Sequence, residues 1–438
     1  MLKRKAYRLF ENWLEAPSKK ALLVMGARQV GKSYLVDAFC SEHFEHVVKF
    51  DLIENTSVRE SFAAAKSADD LELRMSVAAP SPLVPDKTAV IIDEVQECPN
   101  IVTFIKYLVQ KGTYRFILTG SLLGVRLDSI DSLPVGYVTK VQMYPLDFEE
   151  FCWASGLDEA IYQQAVQCFR ERAALPEFLY ARLLDIFHRY LMVGGMPDAV
   201  NTFLATNNID SVRTVQLDLH GLYRLDITKY APPELRLTIQ EIYDLIPSQA
   251  LSKTRRFNLG SIKGVKRFTQ VETQFLWLVQ AGVALAVYNV VAPTAPLLAF
   301  EERNKFKLFY LDAGMLSAAL PKNSYQGLLD GKATVNMGAA YEAFAAQELA
   351  AHGFPLRYFT SKKVGKLDFL AERQDGTIDA LEIKSGGSYM THSALDHALE
   401  VPEYSIDNAY VFAESNIFEK DGILYVPIFL LGALSYES

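Results

Sequence analysis

The stretch that decides the fold is Gly26-Ala27-Arg28-Gln29-Val30-Gly31-Lys32-Ser33. It directly follows the apolar run Ala21-Leu22-Leu23-Val24-Met25 and precedes a helical pattern that starts near Tyr34. Glycines let the backbone curl so that successive N–H groups point at phosphate oxygens, and the helix N-terminus adds partial positive charge. A buried strand, a glycine-rich loop and a helix in this order predict a nucleotide site.

Each residue type in this stretch has a defined task in such a site. Lys32 is expected to reach the β- and γ-phosphates, and the Ser33 hydroxyl to ligate Mg²⁺. The predicted ligand is therefore ATP, with Mg²⁺ as its cation. The predicted nucleotide-binding residues are Gly26, Ala27, Arg28, Gln29, Val30, Gly31, Lys32, Ser33 and Tyr34.

A second motif, Ala89-Val90-Ile91-Ile92-Asp93-Glu94, places two carboxylates after an apolar run. Ligands bind at the carboxyl ends of strands in open α/β sheets, so these acids are predicted to join the nucleotide site. Asp93 is predicted to hold Mg²⁺. Glu94 is predicted to orient and deprotonate the attacking water, which makes Glu94 and Lys32 the catalytic candidates.

Thr119-Gly120-Ser121 follows another apolar run, Arg115-Phe116-Ile117-Leu118. A hydroxyl at this point can contact the γ-phosphate and sense the nucleotide state, so Thr119 and Ser121 are sensor candidates. A plain turn is an equally good interpretation of these three residues.

The chain has 438 residues, which favours two to three domains. Apolar runs alternate with helical patterns up to residue 145, as in a parallel sheet covered by helices. Helical patterns dominate residues 146–330, and mixed patterns return in 331–438. The predicted class is α/β multidomain, with an ATP-binding domain, a helical middle that includes a helix-turn-helix near 246–287, and a small α/β domain.

Several features of the composition limit the function classes. The four cysteines, Cys40, Cys98, Cys152 and Cys168, show no metal-ligand spacing and fit a reduced cytoplasm. The first 17 residues favour a short amphipathic helix rather than a signal peptide. No apolar run is long enough to span a bilayer, and the net charge of −8 argues against a surface built wholly for nucleic acid.

The motifs together resemble the AAA-type bacterial and archaeal ATPases that carry a C-terminal domain of unknown function. The resemblance rests on the phosphate loop, Asp93-Glu94-Val95-Gln96 and Leu118-Thr119-Gly120-Ser121. It extends to four later stretches: Tyr144-Pro145-Leu146-Asp147-Phe148-Glu149-Glu150-Phe151, Gly194-Gly195-Met196-Pro197, Trp277-Leu278-Val279-Gln280-Ala281-Gly282 and Phe306-Lys307-Leu308-Phe309-Tyr310-Leu311-Asp312. It implies an AAA-type fold, ATP hydrolysis and a winged-helix-like unit in the middle region.

Two positions depart from the pattern of that family. Family members usually have threonine at Ser33, a change that keeps the hydroxyl ligand. They usually have Gly-Arg before the Pro-Leu motif, whereas here Gly136 is followed by Tyr137. Lys140 and Arg126 would be weak substitutes for an arginine that stabilises the transferring phosphoryl group, so the resemblance implies slow hydrolysis.

The middle region contains a basic stretch with no Asp or Glu between Leu245 and Val271. On a helix-turn-helix, such residues can hold the phosphates of DNA. A solvated positive face, or one that docks on the chain's own acidic surface, is the alternative. The candidate nucleic-acid contacts are Lys253, Arg255, Arg256, Lys263, Lys266 and Arg267.

The C-terminal segment contains Lys366-Leu367-Asp368-Phe369-Leu370 and then Ala380-Leu381-Glu382-Ile383-Lys384. An Asp on one strand and Glu-x-Lys on the next resemble the PD-(D/E)XK nuclease core, with Glu342 on the preceding helix as an additional acid. Residues two apart on a strand share a face, so Glu382 and Lys384 point the same way. Asp368 and Glu382 would then hold Mg²⁺ while Lys384 stabilises developing charge. A buried ion-pair network without chemistry is the alternative.

Two roles follow from these motifs. In one, ATP binding and hydrolysis control a C-terminal domain that is associated with nucleic acid. In the other, the chain is a nucleotide-dependent switch that binds a protein partner and has no nuclease activity.

Overall fold

The computed structural model describes residues 2–121, 136–321 and 337–437. Two compact units are found in it: Met1–Tyr144 with Gln280–Gly282, and Pro145–Val279 with Val283–Ser438. The sequence predicts boundaries after residues 145 and 330. The second of these positions falls inside the range of the second unit.

The first unit is built on a parallel sheet of five strands in the order β2-β3-β4-β1-β5. The apolar runs of the sequence form its strands, and every residue of β3 is buried. The bounds are β1 Ala21–Met25, β2 His46–Asp51, β3 Thr88–Asp93, β4 Arg115–Gly120 and β5 Val138–Gln142. β4 lies between β1 and β3, so the ends of these three strands are neighbours.

Helices separate β1, β2, β3 and β4 along the chain, as the alternating pattern predicts. The predicted amphipathic N-terminal helix is confirmed, since α1 buries Phe10 and Trp13. The helices are α1 Ala6–Glu15, α2 Lys32–His43, α3 Thr56–Ala63, α4 Ala68–Ala78 and α5 Pro99–Lys111. Ile101, Val102, Ile105 and Leu108 of α5 pack into the same core as β3 and β4.

The second unit begins with a series of helices, which confirms the helical middle region. The helices up to residue 280 are α6 Phe148–Ala154, α7 Glu159–Arg170, α8 Glu177–Val193, α9 Pro197–Thr206, α10 Ile209–Tyr230, α11 Arg236–Ala250 and α12 Glu272–Gln280. Among the described residues after 280, three more follow: α13 Ala313–Ala319, α14 Met337–Ala351 and α15 Ser393–Leu399. Within the described ranges, none of the helices is both long and apolar enough to cross a bilayer.

The second unit also contains a mixed sheet of eight strands, ordered β12-β13-β11-β10-β9-β8-β6-β7. The bounds are β6 Ala284–Val290, β7 Glu301–Tyr310, β8 Arg357–Ser361, β9 Gly365–Glu372, β10 Ile378–Ile383, β11 Asn408–Ala413, β12 Phe418–Lys420 and β13 Ile423–Pro427. The middle region is mainly helical, as predicted, but it also contributes two strands that the sequence analysis does not identify. Its antiparallel hairpin β6–β7 extends the sheet of the C-terminal strands through β6, which pairs with β8 in parallel.

The C-terminal segment contains the predicted helix with Glu342 and, after it, the predicted strands with Asp368 and Glu382. β8, β9 and β10 form an antiparallel meander after α14, and β11 then pairs with β10 in parallel after α15. Asp368 lies in β9 and Glu382 in β10. Leu370 pairs with Ala380 and Phe369 with Leu381, so this register sets Asp368 opposite Glu382.

Candidate active site

The phosphate loop of the first unit requires its first glycine. Gly26 has a φ of 151°, and a Cβ at this position would lie 2.4 Å from the carbonyl oxygen of Met143. Gln29 and Gly31 also have positive φ, with values of 65° and 91°. α2 begins directly afterwards at Lys32, so the loop leads into a helix N-terminus as the sequence predicts.

The Lys32 side chain lies inside this loop. Its amine donates hydrogen bonds to the carbonyl oxygens of Gly26 at 3.0 Å and Ala27 at 2.8 Å. Burial lowers the pKa of Lys32 to about 8, and the carboxylates of Glu94 and Asp93 oppose that effect. A buried ammonium at a loop built for anions is a strong electrostatic partner for a phosphate group.

Asp93 ends β3 and is almost fully buried. The Thr119 hydroxyl donates a hydrogen bond to Asp93 Oδ1. Lys49 of β2 places its Nζ 2.7 Å from Asp37 Oδ2 and 3.5 Å from Asp93 Oδ2. Burial acts to lower the pKa of Lys49, but Asp37 and Asp93 outweigh burial and raise it, so this ammonium remains charged.

Glu94 follows β3 in a left-handed conformation, with a φ of 55°. Ser121 donates to its carboxylate from both the backbone N–H, at 3.2 Å, and the hydroxyl, at 3.0 Å to Oε2. The Gln96 amide also donates to Glu94 Oε2, while Gln96 Oε1 is buried without a hydrogen-bond partner. The carboxylate is thus held at the ends of β3 and β4, beside the strand that carries the phosphate loop.

The residues at this edge fit Mg²⁺ by their chemistry. Ser33 lies in the first turn of α2, and Asp93 supplies a carboxylate from the neighbouring strand end. Hydroxyl, carboxylate and phosphate oxygens are the ligands that Mg²⁺ prefers. Asp37 lies one helical turn after Ser33 on the same face of α2, which adds an acid close to these ligands.

Sequence reasoning missed three side chains that shape this site. Arg4 donates to the carbonyl oxygens of Val30 at 2.9 Å and Tyr144 at 2.6 Å, and so fastens the loop from the N-terminal segment. Lys49 and Gln96 are the other two. Gln96 stands in the quoted Asp-Glu-Val-Gln motif, so its proximity to Glu94 was the available signal, whereas nothing in the local sequence marks Arg4 or Lys49.

Two residues that the sequence analysis singled out lie at the edge of the first unit's site or away from it. Tyr34 lies on α2 and is 64% exposed, and its predicted contact with the nucleotide stays a prediction. The Tyr137 carbonyl accepts a hydrogen bond from Ala21 N, at the start of β1. An arginine at position 137 would begin about 16 Å from the phosphate loop, the length of a five-residue strand. Arg126 lies outside the described residues.

The basic stretch of the middle region is largely exposed. Its segment runs from the end of α11 to the start of α12 and contains two short 3-10 turns. Arg255 is the exception, because its guanidinium is paired with the buried carboxylate of Glu342. The Arg255 guanidinium is therefore not available for the contact with nucleic-acid phosphates that the sequence predicts. Five basic side chains remain exposed: Lys253, Arg256, Lys263, Lys266 and Arg267.

The acids predicted in the C-terminal segment lie in one buried cluster with cations. Glu342 is fully buried and contacts Lys307 Nζ at 3.0 Å and Lys366 Nζ at 3.1 Å. Asp368 Oδ1 is 2.7 Å from Lys366 Nζ. Glu382 Oε1 is 2.9 Å from Lys384 Nζ, while Glu382 Oε2 is buried without a hydrogen-bond partner.

The electrostatics of this cluster divide the acids into two kinds. Burial acts to raise the pKa of Glu342, but Lys307, Lys366 and Arg255 outweigh burial and hold it well below its usual range. Burial and the charge of Glu342 raise the pKa of Asp368. Burial and Asp368 raise the pKa of Glu382 to about 7. Glu342 is therefore ionised at neutral pH, whereas Glu382 gains or loses its proton near pH 7.

A different trio has ligand atoms that approach one another closely enough for a metal. Among the described residues, the group of three acids or histidines within 4.8 Å of one another is Asp147, Glu348 and His352. Asp147 Oδ1 caps α6 through Glu150 N, and Glu348 Oε1 accepts from Phe148 N at 2.8 Å. His352 Nε2 lies 3.1 Å from Asp147 Oδ2. These contacts give the trio a structural role at the start of α6.

Comparisons with known families divide the chain into three parts. Residues 18–152 match an AAA domain (AAA_14). Residues 184–326 and 337–431 match two domains of unknown function, DUF8612 and DUF4143. No curated protein matches the chain.

Solved structures resemble the chain at low similarity. The Walker-type ATPase PABY2304 of Pyrococcus abyssi is 17% identical with a TM-score of 0.43, and the match covers 73% of this chain and 96% of that one. The Thermotoga maritima RuvB Holliday junction branch migration motor is 15% identical with a TM-score of 0.29, over 75% and 95% of the two chains. At these scores, neither match carries a functional argument. The family match and the strand order together support an AAA-type P-loop ATPase domain in the first unit.

Proposed function

We propose that the first unit binds ATP and hydrolyses it slowly to ADP and phosphate, with Mg²⁺ as its cation. The observation that carries this proposal is the convergence at one sheet edge of Lys32, in an anion-binding loop, with Asp93 and Glu94, which are held by hydroxyl groups. If Lys32 served only in a structural ion pair, its amine would not need to be surrounded by a loop that glycines bend.

In the proposed reaction, the backbone N–H groups of the loop and the Lys32 amine bind the β- and γ-phosphates. Ser33 and Asp93 would hold Mg²⁺, which would neutralise charge on the phosphate oxygens. Glu94 orients a water in line with the γ-phosphate and accepts its proton as the oxygen–phosphorus bond forms and the bond to ADP breaks. Ser121 and Gln96 fix the Glu94 carboxylate.

Slow turnover is supported by two contacts in this site. Lys49 brings a positive charge to within 3.5 Å of Asp93, the proposed metal ligand. Ser121 and Gln96 both donate to Glu94 Oε2, so they occupy a carboxylate oxygen that would otherwise be open to the attacking water. Both contacts oppose catalysis in the protein as it stands.

The test is ATP turnover of the wild type against Lys32→Ala and Glu94→Gln, with Lys87→Ala as a control. Lys87 pairs with Glu45 on the surface of the same unit. We expect Glu94→Gln to lower turnover by about a hundredfold or more while ATP still binds. We expect Lys32→Ala to lose ATP binding. Unchanged turnover in both variants would show that the site is wrong.

We further propose that ATP controls the second unit, and that the second unit contacts nucleic acid. Support comes from five exposed basic side chains in one segment without acids: Lys253, Arg256, Lys263, Lys266 and Arg267. A winged-helix-like unit in this region remains part of the proposal. If it is correct, DNA raises ATP turnover, and replacing these five residues by glutamine abolishes the effect. Turnover that is indifferent to DNA contradicts it.

The second candidate is a nucleotide-dependent switch that binds a protein partner without nuclease activity. The observation that favours it is the cation-filled cluster around Glu342, which leaves the predicted nuclease acids paired within the chain. Divalent-dependent cleavage of DNA or RNA, with Asp368→Ala as the control, separates the two roles. Cleavage by the wild type that Asp368→Ala abolishes would contradict the switch.

A further inference from the structure

Three acids of the second unit, Glu342, Asp368 and Glu382, lie in one buried cluster. Asp368 and Glu382 stand opposite each other on antiparallel neighbours, and like charges directly opposite destabilise a sheet unless something lies between them. Glu342 of α14 reaches the same cluster, as shown by its shared contact with Lys366. The negative charge of these acids has to be balanced by a cation within the cluster.

Lys307 of β7 provides a cation inside the cluster. Its Nζ is fully buried and lies 3.0 Å from Glu342 Oε2, 3.0 Å from the Asp368 carbonyl oxygen and 3.9 Å from Asp368 Oδ1. The rings of Tyr358 and Phe369 lie about the same ammonium, with centroids at 5.0 and 5.1 Å. The ammonium thus has oxygen partners from both acids, as a bound metal ion would.

The remaining oxygens of the two acids are also occupied by groups of the chain. Lys366 contacts Glu342 Oε1 and Asp368 Oδ1, and Arg255 contacts Glu342 Oε1. Asp368 Oδ2 accepts a hydrogen bond from Ile383 N at 3.1 Å. Three cationic side chains therefore surround two carboxylates. A divalent cation would have to displace at least Lys307 and would then face the charges of Lys366 and Arg255.

We propose that Lys307 is a built-in counter-ion that takes the position of a divalent cation between Glu342 and Asp368. The residues present do not fit Mg²⁺, because the oxygens that would bind it are taken by tethered cations. Burial lowers the pKa of Lys307 only to about 8, so the amine is still mostly protonated at neutral pH. The cluster joins β7, α14 and β9 and performs no metal-dependent phosphodiester cleavage.

The test is Mn²⁺ binding without nucleotide, followed by electron paramagnetic resonance. Wild type and Glu382→Gln are compared first, since the amide keeps the shape of a side chain whose Oε2 has no hydrogen-bond partner. We expect both proteins to bind the same number of Mn²⁺ ions. Asp368→Asn is expected to give the same number again. Loss of a Mn²⁺ ion in either variant would overturn the proposal.

Removal of both lysines tests the same point in the other direction. Lys307→Ala/Lys366→Ala removes the two amines that contact both Glu342 and Asp368, so we expect it to gain a Mn²⁺ site that the triple variant with Asp368→Asn lacks. A folded double variant without this gain would overturn the proposal. If the double variant does not fold, the comparison of wild type with Glu382→Gln and Asp368→Asn still decides, because it does not require that variant.

Discussion

Lys32 combines two properties that oppose each other in water. It is buried in the phosphate loop, which makes its positive charge costly, and it must be charged to attract a triphosphate. Burial lowers the pKa of Lys32 to about 8, so the amine is still mostly protonated at neutral pH. A bound triphosphate would favour the protonated amine, so protonation and nucleotide binding are linked.

This linkage predicts a pH dependence of ATP binding. Above pH 8 the free protein loses the Lys32 proton, and binding must restore it. We therefore expect ATP affinity to fall by up to about tenfold per pH unit above 8, since one pKa unit corresponds to about 1.4 kcal/mol. Isothermal titration calorimetry between about pH 7 and 9.5 measures this fall. Lys32→Met should bind weakly at every pH, and an equal slope in that variant would contradict the assignment.

Lys49 predicts a specific dependence on Mg²⁺. Because its ammonium lies beside Asp93, replacing it by an uncharged side chain should strengthen metal binding there. We expect Lys49→Met to lower the Mg²⁺ concentration for half-maximal ATP turnover by about fivefold, from a charge interaction of about 1 kcal/mol at 4 Å in water. Lys87→Met is the matched control, because Lys87 pairs with a surface glutamate. An unchanged Mg²⁺ dependence in Lys49→Met would contradict competition at Asp93.

At the scale of elements, the phosphate loop is held from outside its own sequence. Arg4, which precedes α1, binds the carbonyl of Val30 within the loop and that of Tyr144 after β5. The N-terminal segment therefore forms part of the wall of the site. A loop whose glycines permit many conformations gains order from such an external contact.

We accordingly expect Arg4→Met to weaken ATP binding and to lower the free energy of unfolding by about 1.5–3 kcal/mol, the range for a hydrogen bond to a charged group. Arg8→Met, at an exposed position of α1, is the control and should change neither quantity. Urea unfolding and ATP titration of the two variants make the comparison. ATP affinity that is equal in Arg4→Met and wild type would show that the contact does not order the loop.

Much of the first unit can be predicted from the sequence because its signals are local. Short stretches of sequence are enough to recognise the apolar runs, the glycines of the loop and Asp93-Glu94. The order of strands is a long-range property, so spacing alone does not reveal that β4 lies between β1 and β3 and brings Ser121 to Glu94. Lys49 and Arg4 reach the site from other elements. Parallel register decides which end of the sheet position 137 occupies, and the local sequence does not show that register.

The second unit is harder to predict for the same reason. β9, β10 and α14 carry clear patterns, and they contain Asp368, Glu382 and Glu342 as the sequence predicts. The hairpin β6–β7 escapes prediction because its partner in the sheet, β8, comes from a distant part of the chain beyond residue 337. Lys307 looks like an ordinary lysine in an apolar stretch. Only the folded sheet shows that it points at two acids from other elements.

At the scale of the whole molecule, the proposed control by ATP requires that the second unit responds to the nucleotide. A ligand shifts an equilibrium only by its difference in affinity for the two states. We expect amide hydrogen exchange in residues 145–279 and 283–438 to change when ATP and Mg²⁺ are added to Glu94→Gln, in which ATP persists. Lys32→Ala should show no change. A response confined to the first unit would contradict control of the second unit by ATP.

The hairpin β6–β7 also bears on whether the C-terminal strands can be produced without the residues that precede them. A shortened chain that starts at residue 337 would lack this hairpin, and β8 would become an open edge with unpaired backbone groups, which invites self-association. Such a fragment would also lose Lys307, leaving Glu342 without one of its counter-ions. We therefore expect a fragment cut between the two matched domains of unknown function to self-associate, whereas a fragment that keeps β6 and β7 retains the partner strand of β8.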